Sequence, residues 1–238
     1  MSTSKLLTSI EGVPPSAEIR ATLAAEGRPV IVSFSAGKDA ICTELALREA
    51  GVATELVYLY YIPGLRFVDE GLSSLEDQLG KKVHRFPHPS LYRWLRHGIF
   101  QTPERARAIE AAQLTDLSYE QVWELVREHL DMDPDTWLAD GVRANDSQQR
   151  RMAFTRYGAM KEQSHKVSPI WDWSIAAVRQ CLEGHKITLP IDYEWFGRSF
   201  DGLDRRFTDP IREHAPDDFE RIREWFPLVG MEAVRHGL

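Results

Sequence analysis

The spacing of apolar positions changes repeatedly along the first ninety residues. Pro29-Val-Ile-Val-Ser-Phe-Ser35 is a nearly continuous apolar run, the pattern of a strand buried on both faces in a parallel sheet. From 39 to 50 the period lengthens. Ile41, Cys42, Leu45 and Ala46 fall on one helical face, and Gly51 stops the helix. A second strand is predicted over Thr54-Glu-Leu-Val-Tyr-Leu-Tyr60 and is broken by Pro63-Gly64. Val68, Leu72, Leu75 and Leu79 then recur at helical spacing, with Gly80 as the stop. Lys82-Val-His-Arg-Phe86 is a short third strand ended by Pro87 and Pro89. Strand, helix, strand, helix, strand in this order predicts an α/β fold with a doubly wound parallel sheet.

Residues 90–135 interrupt the alternation and read as a helical insertion. Leu91-Tyr-Arg-Trp-Leu opens it, Pro103 to Ala112 continues it, and Ser118-Tyr-Glu-Gln121 forms a capping box before Val122, Leu125, Val126 and Leu130. The insertion is expected beside the ligand edge of the sheet or as a subunit contact in a homo-oligomer. Thr136-Trp-Leu-Ala-Asp140 restores a strand, and a polar, arginine-rich turn leads from Gly141 into a helix. Lys166 to Ile170 is another extended piece. Trp171-Asp172-Trp173-Ser174 caps a helix that turns Ile175, Val178, Cys181 and Leu182 inward and closes at Gly184. Residues 190–210 read as loop-rich, and a last amphipathic helix covers about Asp217 to Phe226. The expected organisation is an N-terminal helical segment (1–28, helical around Pro15 to Glu26), a nucleotide-binding domain (29–200) carrying the insertion, and a C-terminal helical extension (201–238).

Composition narrows the function classes. A chain of 238 residues, 43% hydrophobic, can bury a substantial core. Its net charge of −7 argues against broad nonspecific binding to nucleic acid, while leaving room for a local basic groove. No apolar run approaches the roughly 20 residues of a membrane span, and Met1-Ser-Thr-Ser-Lys-Leu-Leu-Thr8 has no secretory apolar region. The two cysteines, Cys42 and Cys181, read as buried free thiols in a reducing compartment, so the expected location is cytoplasmic. His84 and His88 are four apart, but Pro87 between them spoils a helical metal pair.

The chemistry concentrates where the first strand meets the first long helix, at Ser35-Ala-Gly-Lys-Asp-Ala40. Small residues at Ser35, Ala36 and Gly37 let backbone N–H groups approach phosphate oxygens at the positive end of a helix. Lys38 neutralises phosphate charge. Asp39 either caps the first turn or helps hold a Mg²⁺ carried by the phosphates. The Walker A spacing is absent. Further on, Arg143, Arg150 and Arg151 offer rigid forks for phosphate or sulfate oxygens, and Asp146 either orients an arginine or binds metal. Asp172 reads as a helix cap. Tyr193-Glu-Trp-Phe-Gly-Arg-Ser199 is polar and aromatic enough to line a pocket.

Ser-x-Gly-Lys-Asp after a buried strand resembles the PP-loop of the ATP pyrophosphatase superfamily, whose usual form is Ser-Gly-Gly-Lys-Asp-Ser. Ala36 replaces the first Gly, a mild change, and Ala40 replaces the final Ser, removing a hydroxyl. Gly141-x-Arg143-x-x-Asp146-Ser147-x-x-Arg150-Arg151 is similar to a segment of the phosphoadenosine-phosphosulfate (PAPS) reductase family. Ser168-Pro-Ile-Trp-Asp172-Trp173-Ser174 resembles that family's Pro-Ile-x-Asp-Trp motif. The resemblance covers about residues 28–200 less the insertion. It implies an adenine nucleotide alpha-hydrolase-like (HUP, Rossmann-like) fold with the nucleotide at the C-terminal edge of the sheet. The implied nucleotide-binding set is Ser33, Phe34, Ser35, Ala36, Gly37, Lys38, Asp39, Ala40, Tyr60, Gly141, Arg143, Asp146, Arg150 and Arg151, with Lys38, Asp39 and Arg143 as its catalytic members.

Sulfonucleotide reductases carry a reactive cysteine in a C-terminal Glu-Cys-Gly-x-His-type motif, and this chain has none. It keeps the Lys38-Asp39 pair that the ATP-cleaving members keep. The implied chemistry is cleavage of ATP, with Mg²⁺, to AMP and pyrophosphate so as to adenylylate a small-molecule or nucleic-acid substrate. With no donor domain in the chain, a donor would be a partner protein or a free small molecule. Two alternatives stand beside it: a PAPS-reductase-type sulfonucleotide enzyme, which would depend on Cys181, and a non-catalytic nucleotide-binding accessory protein of nucleic-acid modification.

Overall fold

The apolar runs at 30, 54 and 83 become the first three strands of one sheet in the computed structural model, which describes residues 6–231. Residues 1–5 and 232–238, the outer ends of the two expected terminal segments, lie outside the described residues. The strands are β1 (Val30–Ser33), β2 (Thr54–Tyr60), β3 (Val83–Pro87), β4 (Leu138–Ala139), β5 (Met160–Lys161) and β6 (Lys166–Val167). The helices are α1 (Ser16–Glu26), α2 (Lys38–Glu49), α3 (Arg66–Leu79), α4 (Pro89–Arg96), α5 (Pro103–Ala111), α6 (Tyr119–His129), α7 (Gln148–Tyr157), α8 (Ile175–Gly184), α9 (Asp192–Phe196), α10 (Arg205–His214) and α11 (Pro216–Trp225).

The sheet order is β3-β2-β1-β4-β6-β5. β1 is parallel to β2 on one side and to β4 on the other, and β4 is parallel to β6. This is a mostly parallel, Rossmann-like α/β sheet. One correction concerns its edge: β5 runs antiparallel to β6, pairing Met160 with Val167. A two-residue strand leaves no periodic signal to read. The winding reverses between β1 and β4, so the loops that follow these two strands open into the crevice where such sheets hold ligands.

Packing divides the chain into two compact units. The first comprises the chain up to Tyr58, Glu76–His84 and Met132–Leu189; the second comprises Leu59–Leu75, Arg85–Asp131 and the chain from Pro190 onward. In the first, Ile31, Val32, Ile41, Leu45, Leu56 and Val178 are fully buried. Glu44, also fully buried on α2, is stabilised by the Thr54 hydroxyl at 2.6 Å and by Lys81 at 3.4 Å. Asp172 does not cap α8. Ser174 does, accepting from the Ala177 N–H, while Asp172 Oδ2 accepts from the Ser16 N–H at the start of α1. Ile175 is 44% exposed rather than inward, while α8 ends at Gly184 as expected, with His185 as its C-cap.

The second unit gathers the insertion and the C-terminal helices around one core of Ile62, Leu65, Leu91, Phe200, Phe207, Ile211, Ile222 and Phe226. Residues 190–210, read as loop-rich, contain α9 and the start of α10. Asp204 caps α10 by accepting from the Arg206 N–H, and the burial of Phe207 and Ile211 offsets the loss of one backbone bond at Pro210. Asp218 on α11 accepts from the backbone N–H groups of Arg66 and Phe67, capping α3 at 2.7 and 3.0 Å. The capping box read at Ser118 and Gln121 is present at the start of α6.

His88 ties three pieces of this unit together. Its N–H donates to the Tyr60 carbonyl, its Nδ1 accepts from the Ser90 N–H at the start of α4, and its Nε2 meets Tyr119 Oη at 2.9 Å. With Nδ1 accepting, Nε2 carries the proton of a neutral ring. Burial, with a smaller push from Arg93, lowers the His88 pKa to about 4. An unfolded histidine titrates near 6.5, so between about pH 6.5 and 4 the unfolded chain binds the extra proton. The stability that the neutral ring provides is complete above that window and is lost as the pH falls through it, by about 1–3 kcal/mol. Thermal melts from pH 7 to 4 should show this fall, and His88→Gln should flatten it. An equal slope in the variant would refute a neutral, buried His88.

Candidate functional site

The register of β1 against β4 pairs Ile31 with Leu138 and Val32 with Ala139, so the two strands end side by side. Their loops then run in close contact. A Cβ on Gly141 would stand 2.8 Å from the Asp39 carbonyl carbon and 3.0 Å from the Ala40 nitrogen. Only a glycine lets the loop after β4 come this close to the first turn of α2. That contact brings the two motifs read in the sequence to one place.

α2 begins at Lys38 with Gly37 as its N-cap, a residue with no side chain to cap it. Its positive end follows directly on the loop after β1, beside Lys38. Asp39 sits between two cations: Lys38 Nζ lies 3.0 Å from Oδ2, and Arg143 Nε lies 2.9 Å from Oδ1. Neither the Nε nor the Oδ1 makes a well-directed hydrogen bond, so this pair is held by charge more than by alignment. Arg143 is only 4% exposed, and its Nη2 reaches Asp146 Oδ1 at 2.6 Å. Asp146 also accepts from Arg150 Nη1 at 2.5 Å and from the Arg143 N–H at 3.3 Å. The short 3-10 turn Ala144–Asp146 and the Ser147 cap of α7 place Asp146, Arg150 and Arg143 on one side of the crevice.

The structure therefore brings together Gly37, Lys38, Asp39, Ala40, Gly141, Arg143, Asp146 and Arg150 out of the residues expected from sequence. Ser33 ends β1 and Ser35 is exposed in the loop that follows. Two others do not join. Phe34 is 1% exposed, in the core, and its N–H is spent on the Val57 carbonyl. Arg151 turns to the N-terminal segment, donating to the Ser9 carbonyl. Tyr60 belongs to the second unit, where burial, then the neighbouring Tyr92, raises its hydroxyl pKa. The aromatic stretch 193–199 also lies there. Trp195 stacks on His214 and lines a cleft of about 490 Å³ with Arg66, Glu70 and Asp217.

Ala36 calls for a correction. As a replacement for glycine it is not mild, because its backbone is left-handed, with φ of 56°. One residue at the site was missed. Asp140, directly after β4, accepts from the Val142 N–H at 3.0 Å and from Ser168 Oγ at 2.7 Å. Burial is the main influence on its carboxyl and pushes its pKa up. An acidic residue between the strand's last apolar position and Gly141 is the signal that marks it.

The arrangement can hold a phosphate chain. The start of α2, Lys38 and Arg150 are linked through Asp39, Arg143 and Asp146, and Asp39 is the loop carboxylate available to a Mg²⁺ that takes most of its ligands from phosphate and water. Among the described residues no group of three His, Cys, Asp or Glu side chains forms a metal centre of its own. No helix among them is long and apolar enough to cross a membrane. The sequence matches no family model, and no curated protein matches it.

Two substitutions test this geometry by thermal or denaturant unfolding. Gly141→Ala should destabilise the protein by about 2 kcal/mol or more, because its new methyl meets backbone rather than a movable side chain. Ala36→Gly should stabilise it by about 0.5–1 kcal/mol through relief of the left-handed conformation. A neutral Gly141→Ala would contradict the close approach of the two loops.

Proposed function

We propose that this crevice binds the phosphates of an adenine nucleotide and that the protein cleaves ATP between its α and β phosphates to adenylylate an acceptor. The observation that carries the reading is the contact of Gly141 with Asp39 and Ala40, which sets Arg143 and Asp146 against the Lys38-Asp39 turn. The PP-loop and PAPS-reductase-like spacing of these residues supports the choice of an adenine nucleotide, within an adenine nucleotide alpha-hydrolase-like version of the fold.

In this reading Lys38 and the first N–H groups of α2 take the phosphate oxygens. Arg143 stays in place through Asp146, and Lys38 moves from Asp39 to the nucleotide as it binds. An acceptor oxygen or nitrogen forms a bond to the α-phosphorus, the bond to the bridging oxygen breaks, and pyrophosphate leaves with its charge met by Lys38 and Arg150. Mg²⁺ held by Asp39 through the phosphates would add charge neutralisation. The acceptor is a small molecule or a nucleic acid, and its donor chemistry comes from a partner protein or a free compound.

Pyrophosphate release from labelled Mg–ATP across a panel of oxygen and nitrogen nucleophiles tests the proposal. Lys38→Ala should lower the rate about 10²–10³-fold. Sulfite release from a phosphosulfate with a thiol reductant would replace this reading with the reductase alternative. Tight nucleotide binding without either product would replace it with the accessory role.

A further inference from the structure

The two cysteines, 139 positions apart in sequence, meet in the structure. Cys42 lies on α2 one turn past Lys38, and Cys181 lies on α8, the helix packed against α2. Cys42 Sγ is 3.5 Å from the carbonyl of Val178, which precedes Cys181 by one turn on the same face of α8. The two thiols are within hydrogen-bonding reach of one another. Among the described residues both are free, Cys42 fully buried and Cys181 half-buried. They are not part of a metal centre of three or more such ligands.

The pair is chemically asymmetric. The hydrogen bond to Cys181, burial and the nearby Asp39 charge push the Cys42 thiol up. The hydrogen bond from Cys42 is the main influence lowering the Cys181 pKa, and the Arg20 charge acts in the same direction. Cys181 is thus the more exposed and more readily ionised sulfur, with a second thiol against it to resolve an oxidised state.

We infer that Cys42 and Cys181 form a reversible intramolecular disulfide, driven by a peroxide, that loosens the Asp39–Arg143 pair. The Cys181 thiolate attacks the peroxide oxygen, giving a sulfenic acid and releasing hydroxide. The Cys42 sulfur then attacks the Cys181 sulfur, the S–O bond breaks, and its oxygen leaves as water with the Cys42 proton. Two thiols are oxidised, one peroxide is reduced, and a dithiol reverses the change by exchange.

The structural consequence follows from where the two helices are anchored. The start of α2 holds Arg143 through Asp39, and the residue before the α8 cap holds it through the Trp173 carbonyl, at 3.4 Å from Nη1. A disulfide has an S–S bond of about 2.05 Å, far shorter than any hydrogen-bonded thiol contact. Closing it draws the middles of α2 and α8 together and shifts the two anchors of one buried guanidinium. The crosslink itself is independent of the nucleotide reading; only its effect on ligand binding rests on it.

The full chain, treated with an equivalent of hydrogen peroxide and then thiol-blocked, provides the test. A mass loss of about 2 Da, one peptide joining the Cys42 and Cys181 segments, a monomer on a non-reducing gel and reversal by dithiothreitol are expected. Hydrogen exchange over residues 37–42 and 143–151 should rise several-fold in the oxidised form. Cys181→Ser should abolish the crosslink and the exchange change. Cys42→Ala should leave a Cys181 sulfenic acid that a cyclic diketone traps. Oxygen added to Cys181 of the unaltered chain without a crosslink, a bond only between copies, or a crosslink with unchanged exchange would each overturn the proposal. A reduced protein that fails to bind Mg–ATP would remove the nucleotide reading and leave these readouts intact.

Discussion

The site depends on one buried charge. Arg143 is almost wholly removed from water, and a guanidinium in that position is tolerable only while its partners stay in place. Asp39 and Asp146 supply the counter-charges from two segments, and the Trp173 carbonyl adds a third contact. Leaving such a charge unpaired costs about 3–5 kcal/mol. The turn after β1, the turn after β4 and the start of α8 are therefore held to a common centre. Lys38 inherits its position from Asp39, and Arg150 inherits its position from Asp146.

A second set of contacts fixes the segment around Pro169 to Trp173. The Thr8 N–H donates to the Asp172 carbonyl, the Ser174 N–H to the Leu6 carbonyl, Arg20 to the Pro169 carbonyl and Trp171 Nε1 to the Pro14 carbonyl. With Asp172 capping α1, the N-terminal segment clasps this stretch from end to end. The aspartate and tryptophans of this stretch are thus used within the fold, and they reach the site through backbone carbonyls: Trp173 accepts from Arg143 Nη1 and Trp171 accepts from the Ala144 N–H.

Much of the first unit was legible because its elements are long and periodic. Thr54–Tyr60 and the helix after Lys38 stand within a residue or so of where the apolar spacing places them. Strands of two residues, such as β5, carry no period at all. α10 was hidden by Pro210, a local breaker overruled by the burial of Phe207 and Ile211. At the site, residue types and their spacing identified Lys38, Asp39, Arg143 and Asp146. Spacing alone could not tell that Phe34 points into the core, or that Arg151 faces Ser9 while Arg150 faces Asp146. Those outcomes depend on strand and helix rotation, which only packing sets. Asp140 was passed over because it sits at a strand end, where an acidic residue reads as a boundary.

The pairing of β1 with β4 also shapes how the protein reaches its folded state. Ile31 finds Leu138 only after the whole insertion and two intervening strands have been made. Joining positions about a hundred residues apart costs about 4 kcal/mol of chain entropy before any contact offsets it. The crevice is therefore a non-local construction and among the slower parts to assemble. During synthesis, a chain that has not yet reached Gly141 carries the Lys38-Asp39 turn with no Arg143 to complete it. The crevice comes into being late, as a product of completed folding.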